Sequence, residues 1–251
     1  METLRTTQVI ELFHIAFLDM LARRVDQGRC FLKGGANLRY FFGSVRYSED
    51  IDLDVEGVPH WRLREKVGDL LDSPQIKLLL GVKDLLIDDV SHAKDTETTQ
   101  RWKIGIKAAG HSEPIRTKVE FSYRPAQGEY RLDRIPPEIV APYALRPPTV
   151  QHYVGRTPTE QKVRALAGRS ETQARDVFDL ELLFRRDDLP TGLVEAETVD
   201  QAVDRALELD YDSYRGQVLP FLEPEAVELY GSVSDWERMQ AFVAEKLEKA
   251  R

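Results

Sequence analysis

An α/β chain with a sheet-forming first half and a helical second half is predicted by three features of the sequence. Asp50-Ile51-Asp52-Leu53-Asp54-Val55 alternates acidic and apolar residues, the period of a strand with one buried face. Gly34-Gly35 stands between a short apolar run and a short helical segment. From Thr159 onward the apolar spacing becomes helical.

Residues 6–25 read as an amphipathic helix with Val9, Ile10, Phe13, Phe17, Leu18 and Leu21 near one face. Gly28 ends it, and residues 29–33 form a short strand. Gly34-Gly35 makes the turn into a helix over 36–42, capped by Gly43. The aspartate strand follows, and Val58-Pro59 closes that unit. Residues 61–71 predict a further helix, and 77–90 read as strand or mixed structure. Residues 101–107 and 115–123 predict two antiparallel strands. Pro136, Pro137, Pro142, Pro147 and Pro148 mark an irregular connection. Helices follow over 159–168, 172–185, 197–209 and 234–249. The expected organisation is a mixed-sheet domain over 1–150 and a helical domain over 151–251 that completes a ligand cleft.

Composition is that of a globular protein with room for a sizeable core. No apolar run has the length of a membrane span, and the N-terminus has no signal-peptide pattern. With one cysteine, Cys30, there is neither an internal disulfide framework nor a cysteine-rich metal site. Cys30 adjoins Phe31 and Leu32 and reads as a small core residue in a reducing, cytoplasmic setting. The net charge of −8 speaks against a nucleic-acid partner, but it is unevenly spread. Residues 187–251 hold 16 acidic and 6 basic residues, leaving the remainder slightly basic. Local clusters such as Lys162, Arg164, Arg169 and Arg175 serve either as solvated helix faces or as a surface for RNA or triphosphate.

The chemistry starts at the alternating aspartates. On a strand, Asp50, Asp52 and Asp54 share a face, where neighbouring carboxylates repel and a cation relieves them. Hard oxygen donors without a nearby cysteine suit Mg²⁺ or Mn²⁺. Gly34 and Gly35 make either an ordinary turn or a close backbone approach to phosphates, with the following helix N-terminus presenting free N–H groups. Lys33 reaches phosphate or solvent. Ser48 offers a hydroxyl to phosphate or a metal-bound water. Arg46 contacts a phosphate oxygen or makes a surface salt bridge. His14, His60, His92, His111 and His152 have no metal-ligand spacing.

The order Phe31-Leu32-Lys33-Gly34-Gly35, Arg46-Tyr47-Ser48-Glu49-Asp50-Ile51-Asp52-Leu53, Lys118-Val119-Glu120-Phe121-Ser122, Lys162-Val163-Arg164-Ala165-Leu166, Arg169 and Arg175-Asp176-Val177-Phe178-Asp179-Leu180 resembles the AbiEii/AbiGii toxin family, including the MenT-type toxins, of the nucleotidyltransferase superfamily. The likeness covers about residues 5–186. The chain departs from the commoner pattern with Glu120 where aspartate is frequent and with Ala36-Asn37 after the glycines. The resemblance implies a nucleotidyltransferase-like mixed sheet with flanking helices and a C-terminal helical bundle. It implies a metal-dependent toxin of a toxin–antitoxin or phage-defence pair that moves nucleotides from NTP to an acceptor, the 3′ end of tRNA among the candidates, and that has a cognate antitoxin.

Under that resemblance Asp50 and Asp52 hold the metal, and Glu120 is a third ligand, the base for the attacking hydroxyl, or an ordinary exposed strand glutamate. Lys33, Gly34, Gly35, Arg46, Ser48 and Lys162 serve the nucleotide. Asp176 orients Lys162 or Arg175, reaches the active site, or is a helix N-terminal charge. Asp179, at i+3 from Asp176, shares its helix face or makes a surface ion pair. Two other readings stand beside this one: nucleotidyl transfer to a small molecule, as in aminoglycoside-modifying relatives, and a catalytically silent transferase domain used for binding.

Overall fold

The computed structural model describes residues 3–25, 27–187, 190–192 and 194–251. Six positions that fall inside the expected domains, 1, 2, 26, 188, 189 and 193, lie outside the described residues. The chain forms two compact units, one of residues 1–41 and 48–153 and one of residues 42–47 and 154–251.

The first unit opens with α1 (Thr6–Arg24). The spacing predicts one apolar face, yet Leu12, Ile15, Ala16 and Met20 are buried as well, so α1 is enclosed on nearly all sides. Its buried polar residues find partners inside, although His14 Nδ1 has none. Glu11 accepts from Arg39 Nε at 2.8 Å and from the Tyr143 hydroxyl at 2.6 Å, and His14 Nε2 lies 2.7 Å from Thr117 Oγ1. Next come β1 (Cys30–Lys33), α2 (Gly34–Phe41), β2 (Asp50–Val55) and α3 (His60–Asp72). Leu63, Val67, Leu70 and Leu71 recur at helical spacing on α3 and are all buried.

Residues 77–90, expected as strand or mixed, divide into α4 (Pro74–Gly81) and β3 (Leu85–Thr96). The Ser73 hydroxyl caps α4, with Pro74 in its first turn, and an apolar run this short carries no decisive period. The strands β4 (Thr99–Ala108) and β5 (Ile115–Ser122) fall where expected and are antiparallel. The proline-rich connection contains β6 (Tyr130–Arg134), α5 (Pro137–Val140) and β7 (Thr149–Tyr153), in place of the irregular segment expected. The sheet order is β3-β4-β5-β2-β1-β7-β6. It is mixed: β2 with β5 and β1 with β7 are parallel, and the other pairs are antiparallel. Alternation sends Leu32, Ile51, Leu53, Val119, Phe121, Trp102 and Ile104 into the core with α1, α3 and α4, and leaves the polar partners on the other face.

The second unit is helical: α6 (Thr157–Gly168), α7 (Ala174–Phe184), α8 (Ala196–Glu208), α9 (Tyr211–Gln217), α10 (Pro224–Tyr230) and α11 (Val233–Lys249). The short helices α9 and α10 were not legible from periodicity. The core combines Val163, Leu166, Val177, Leu180, Val199, Ala202 and Val243 with Trp236, whose ring stacks on Tyr214 at 4.5 Å. Residues 42–47 join it as an extended segment. Tyr47 N–H donates to Phe221 O at 2.7 Å, and Glu223 N–H to Val45 O at 3.0 Å.

Candidate active site

In the first unit the expected site residues meet on the face of the sheet opposite α1. Strand register lines them up: Lys33 opposes Asp52, Asp52 opposes Glu120, and Glu120 opposes Arg101. One strand repeat along, Asp50 opposes Lys118, which opposes Lys103. Neighbouring strands lie about 4.8 Å apart, so Asp52 and Glu120 are adjacent carboxylates on one face.

Gly34 is bound to this arrangement by shape. The helix α2 begins at Gly34, two residues earlier than the sequence spacing predicts, and Gly34 has φ +69°. A Cβ there would lie 2.9 Å from Asp52 Oδ2. Only glycine adopts that backbone readily and leaves the carboxylate its place. The first N–H groups of α2, from Gly34 and Gly35, have no partner within the helix and carry its positive end. Asn37 fixes α2 against β7, donating to Tyr153 O at 3.0 Å and lying 3.0 Å from His152 Nδ1, while Phe41 stacks on His152.

Asp50, Glu120 and Asp54 each have a basic neighbour at ion-pair distance. Lys118 Nζ is 2.8 Å from Asp50, and Arg101 Nε donates to Glu120 Oε2 at 2.6 Å. Lys33 Nζ donates to Asp54 Oδ1 at 2.5 Å, and the Tyr153 hydroxyl donates to Asp54 Oδ2 at 2.8 Å. Burial and the adjacent Asp54 push the Tyr153 phenol up, so it stays a donor. Asp54 is buried and so serves as an anchor for Lys33 rather than as an open ligand. Ser48 precedes β2 and donates to the Asp50 carbonyl at 2.8 Å, fixing the start of that strand.

Among the described residues no three His, Cys, Asp or Glu side chains stand converged on one point. Asp50 and Glu120 are instead aimed at Lys118 and Arg101. The donor set nevertheless fits a magnesium or manganese ion: carboxylates from two adjacent strands, partly open to solvent, with no thiolate or imidazole among them. Part-exposed ion pairs are worth only about 0.2–1 kcal/mol each, so the carboxylates can be released to a cation at small cost.

The other expected residues form a separate cluster within the second unit. Asp176 and Asp179, one helical turn apart on α7, are fully buried. Lys162 on α6 donates to Asp176 at 2.8 Å and lies 2.6 Å from Asp179. Arg46 grips Asp179 through Nε and Nη2 at 2.9–3.2 Å and also donates to Tyr47 O. Arg169 adds a bond of 2.7 Å to Asp176. Burial pushes the Asp176 carboxyl up, but Lys162 and Arg169 more than offset it and hold it below the usual carboxylate range. The surface ion-pair alternative for Asp179 is therefore wrong, and Arg46, buried with Nε, Nη1 and Nη2 all engaged, stands neither in a surface salt bridge nor open to a phosphate oxygen. Both groups sit in the interior because segment 42–47 packs as part of the helical unit.

Sequence reasoning missed Arg101 and the Arg46–Asp179 pair. The first had a signal: Arg101 and Lys103 alternate with Trp102 and Ile104 as the aspartates of β2 alternate with their apolar neighbours. The second joins residues 133 positions apart and had none.

A model of the nucleotidyl transferase AbiEii toxin family, of a type IV toxin–antitoxin system, matches residues 16–249. No curated protein matches the chain. Among solved structures, the chain is similar to JHP933 from Helicobacter pylori, at 22% identity and TM-score 0.61, with 99% of this chain and 96% of that one covered. It is equally similar to a proposed nucleotidyltransferase from H. pylori, at 22% identity and TM-score 0.61, with 96% of each covered. These likenesses carry the fold.

Proposed function

Because the chain belongs to the AbiEii nucleotidyl transferase toxin family, we propose that it transfers a nucleotide from a nucleoside triphosphate to a nucleic-acid hydroxyl, the 3′ end of tRNA being the acceptor tested first. The family's place in a type IV toxin–antitoxin system implies an antitoxin.

One observation carries the reading: Asp50, Asp52 and Glu120 share an open sheet face, with Asp52 set against the left-handed Gly34 at the N-terminus of α2. Asp50, Asp52 and Glu120 would hold Mg²⁺ or Mn²⁺, which when bound supplies Lewis-acid stabilisation to the phosphoryl oxygens. The N–H groups opening α2 receive phosphate oxygens, favoured by the helix dipole. The acceptor hydroxyl attacks the α-phosphorus, its bond to the bridging oxygen breaks, and pyrophosphate leaves. The hydroxyl proton passes to solvent or to Glu120 once that group is free of Arg101. The family resemblance also assigns Lys162 and Asp176 to nucleotide use. Their buried network supports that role by presenting a lysine of fixed position.

Incubation with each labelled NTP and total tRNA tests the proposal. Label should enter RNA with wild type, disappear with EDTA, return with Mg²⁺ or Mn²⁺, and be absent with Asp52→Asn. An Asp52→Asn protein with near-normal transfer would overturn the assignment. Label on a small acceptor alone would replace the RNA acceptor with a small molecule.

A further inference from the structure

The catalytic face does not end at Glu120. Beyond it, β4 and β5 carry a run of cations on the same side of the sheet. Arg101 and Lys103 alternate along β4, and Arg116 and Lys118 along β5, with Lys103 directly opposite Lys118 and Arg116 opposite Gly105. Lys107 continues the β4 series and pairs with Asp88 at 2.5 Å. Lys103 is exposed, and Arg116 and Lys107 have side chains 61% and 62% exposed, so this is a surface and not a core feature.

Two details argue against a merely solvated strand face. Lys103 and Lys118 are like charges in direct register, a repulsion that Asp50 relieves only while it holds Lys118. An anion bridging them would turn that cost into a gain. Gly105 is the second detail. A Cβ there would lie 2.8 Å from Arg116 Nη1 and would also clash with Asp89. The missing side chain lets Arg116 lie across β4 to reach Asp89 at 2.5 Å, and keeps the strip flat between Lys103 and Lys107.

We propose that this strip of β4 and β5 receives the phosphates of a single-stranded RNA acceptor, with Arg101 and Lys118 moving from Glu120 and Asp50 to phosphate when a divalent ion takes those carboxylates. This rests on the transferase reading for its last step, and on the strip alone for RNA binding. The placement follows from the sheet order. The glycine turn borders β1 and β2, on one side of the carboxylates, and β4 lies on the other. Arg101 is three strands from Lys33, about 14 Å at ordinary strand spacing. Triphosphate at the turn and acceptor on the strip would then meet at Asp50, Asp52 and Glu120. The exchange conserves charge: a cation leaves each carboxylate as another arrives, and the freed side chains meet the incoming phosphates.

The test uses the full chain, a fluorescein-labelled single-stranded RNA and a salt series. Lys103→Gln with Arg116→Gln should lower RNA affinity and flatten the plot of log K against log salt by about 0.7 per lost phosphate contact, while leaving the KM for NTP unchanged. Arg238→Gln, at an exposed position of α11, is the control and should change neither. Arg101→Gln should weaken RNA binding yet tighten Mn²⁺ binding, read by calorimetry without substrate, about two- to fivefold, since a competitor for Glu120 is gone. A purely structural Arg101 would not tighten the metal. Unchanged RNA affinity and salt slope in the double variant overturn the strip, even if wild type transfers nucleotide. Looser or unchanged Mn²⁺ binding in Arg101→Gln overturns the exchange. RNA binding that depends on the strip in a protein that transfers nothing supports the strip and overturns the transferase reading.

Discussion

Replacing Asp179 by Asn tests the physical account of the second unit. Asp179 is fully buried and is shared by Arg46, 3% exposed, and Lys162, 8% exposed. The substitution keeps the shape, removes the charge and turns an amide N–H₂ towards a cation. Lys162 retains Asp176, but Arg46 loses its charged partner and keeps neutral acceptors, the amide oxygen of the substituted side chain and the Tyr47 carbonyl. Breaking a buried pair by neutralising one partner costs about 3–5 kcal/mol, because the surviving charge stays desolvated. At about 2–4 °C per kcal/mol for a chain of this length, the thermal midpoint should fall by about 6–20 °C. Thermal unfolding followed by circular dichroism measures the midpoint, and urea unfolding the free energy. The companion double variant, Arg46→Met with Asp179→Leu, should be less unstable than either single change, with a coupling energy of about 2 kcal/mol or more. An Asp179→Asn protein within about 1 kcal/mol of wild type would refute the reasoning. It would mean that water reaches Arg46.

Three more outcomes are expected. Gly34→Ala should abolish transfer while circular dichroism stays that of wild type. The added methyl strains a backbone at φ +69° and crowds Asp52 Oδ2, so a fully active Gly34→Ala enzyme would detach the turn from the site. Burial holds His14 down to about 3, against 6.5 when unfolded. Between those values the unfolded chain binds a proton that the folded chain does not. Stability should therefore be unaffected by this group above pH 6.5 and fall on acidification below it, by about 1.4 kcal/mol per pH unit. Urea midpoints at pH 7 and 5.5 should differ less in His14→Gln than in wild type, and an identical difference would count against it. Lys162→Ala should raise the KM for NTP or abolish transfer, with RNA affinity retained. Loss of RNA binding with normal NTP use would reverse its role.

How far the sequence carried is visible in β2. Alternation is local, and from it came the strand, the shared face of Asp50 and Asp52, and the burial of Ile51 and Leu53. The same rule applied to β5 placed Glu120 beside Lys118 and Ser122, away from Val119 and Phe121. It could not say which strand lies next to which. The opposition of Asp52 to Glu120 and of Glu120 to Arg101 is a fact of sheet order, set by contacts between residues far apart in the chain. β6 and β7 were hidden for a related reason. Short runs between prolines have little propensity of their own, and β7 is a strand because β1 and β6 flank it. In α1 the error ran the other way: an amphipathic pattern was read where the helix is buried on nearly every side, since Glu11 and His14 look like surface residues until Arg39, Tyr143 and Thr117 are placed beside them.

The same contrast separates two kinds of charge pair. Lys162, Arg46, Asp176 and Asp179 pair with one another in the interior of the second unit, which fixes where the Lys162 ammonium stands. Asp50, Glu120, Lys118 and Arg101 are also paired, but at a partly open surface where each pair is weak. A buried network resists exchange because every departure strands a desolvated charge. An exposed one exchanges freely, because water receives whichever ion leaves. A site that must be neutral when empty and still accept a divalent cation and polyanionic phosphates requires the second kind. On this chain that arrangement is found on the open face of β2, β5 and β4, with Gly34 at one side and the cations of β4 and β5 at the other.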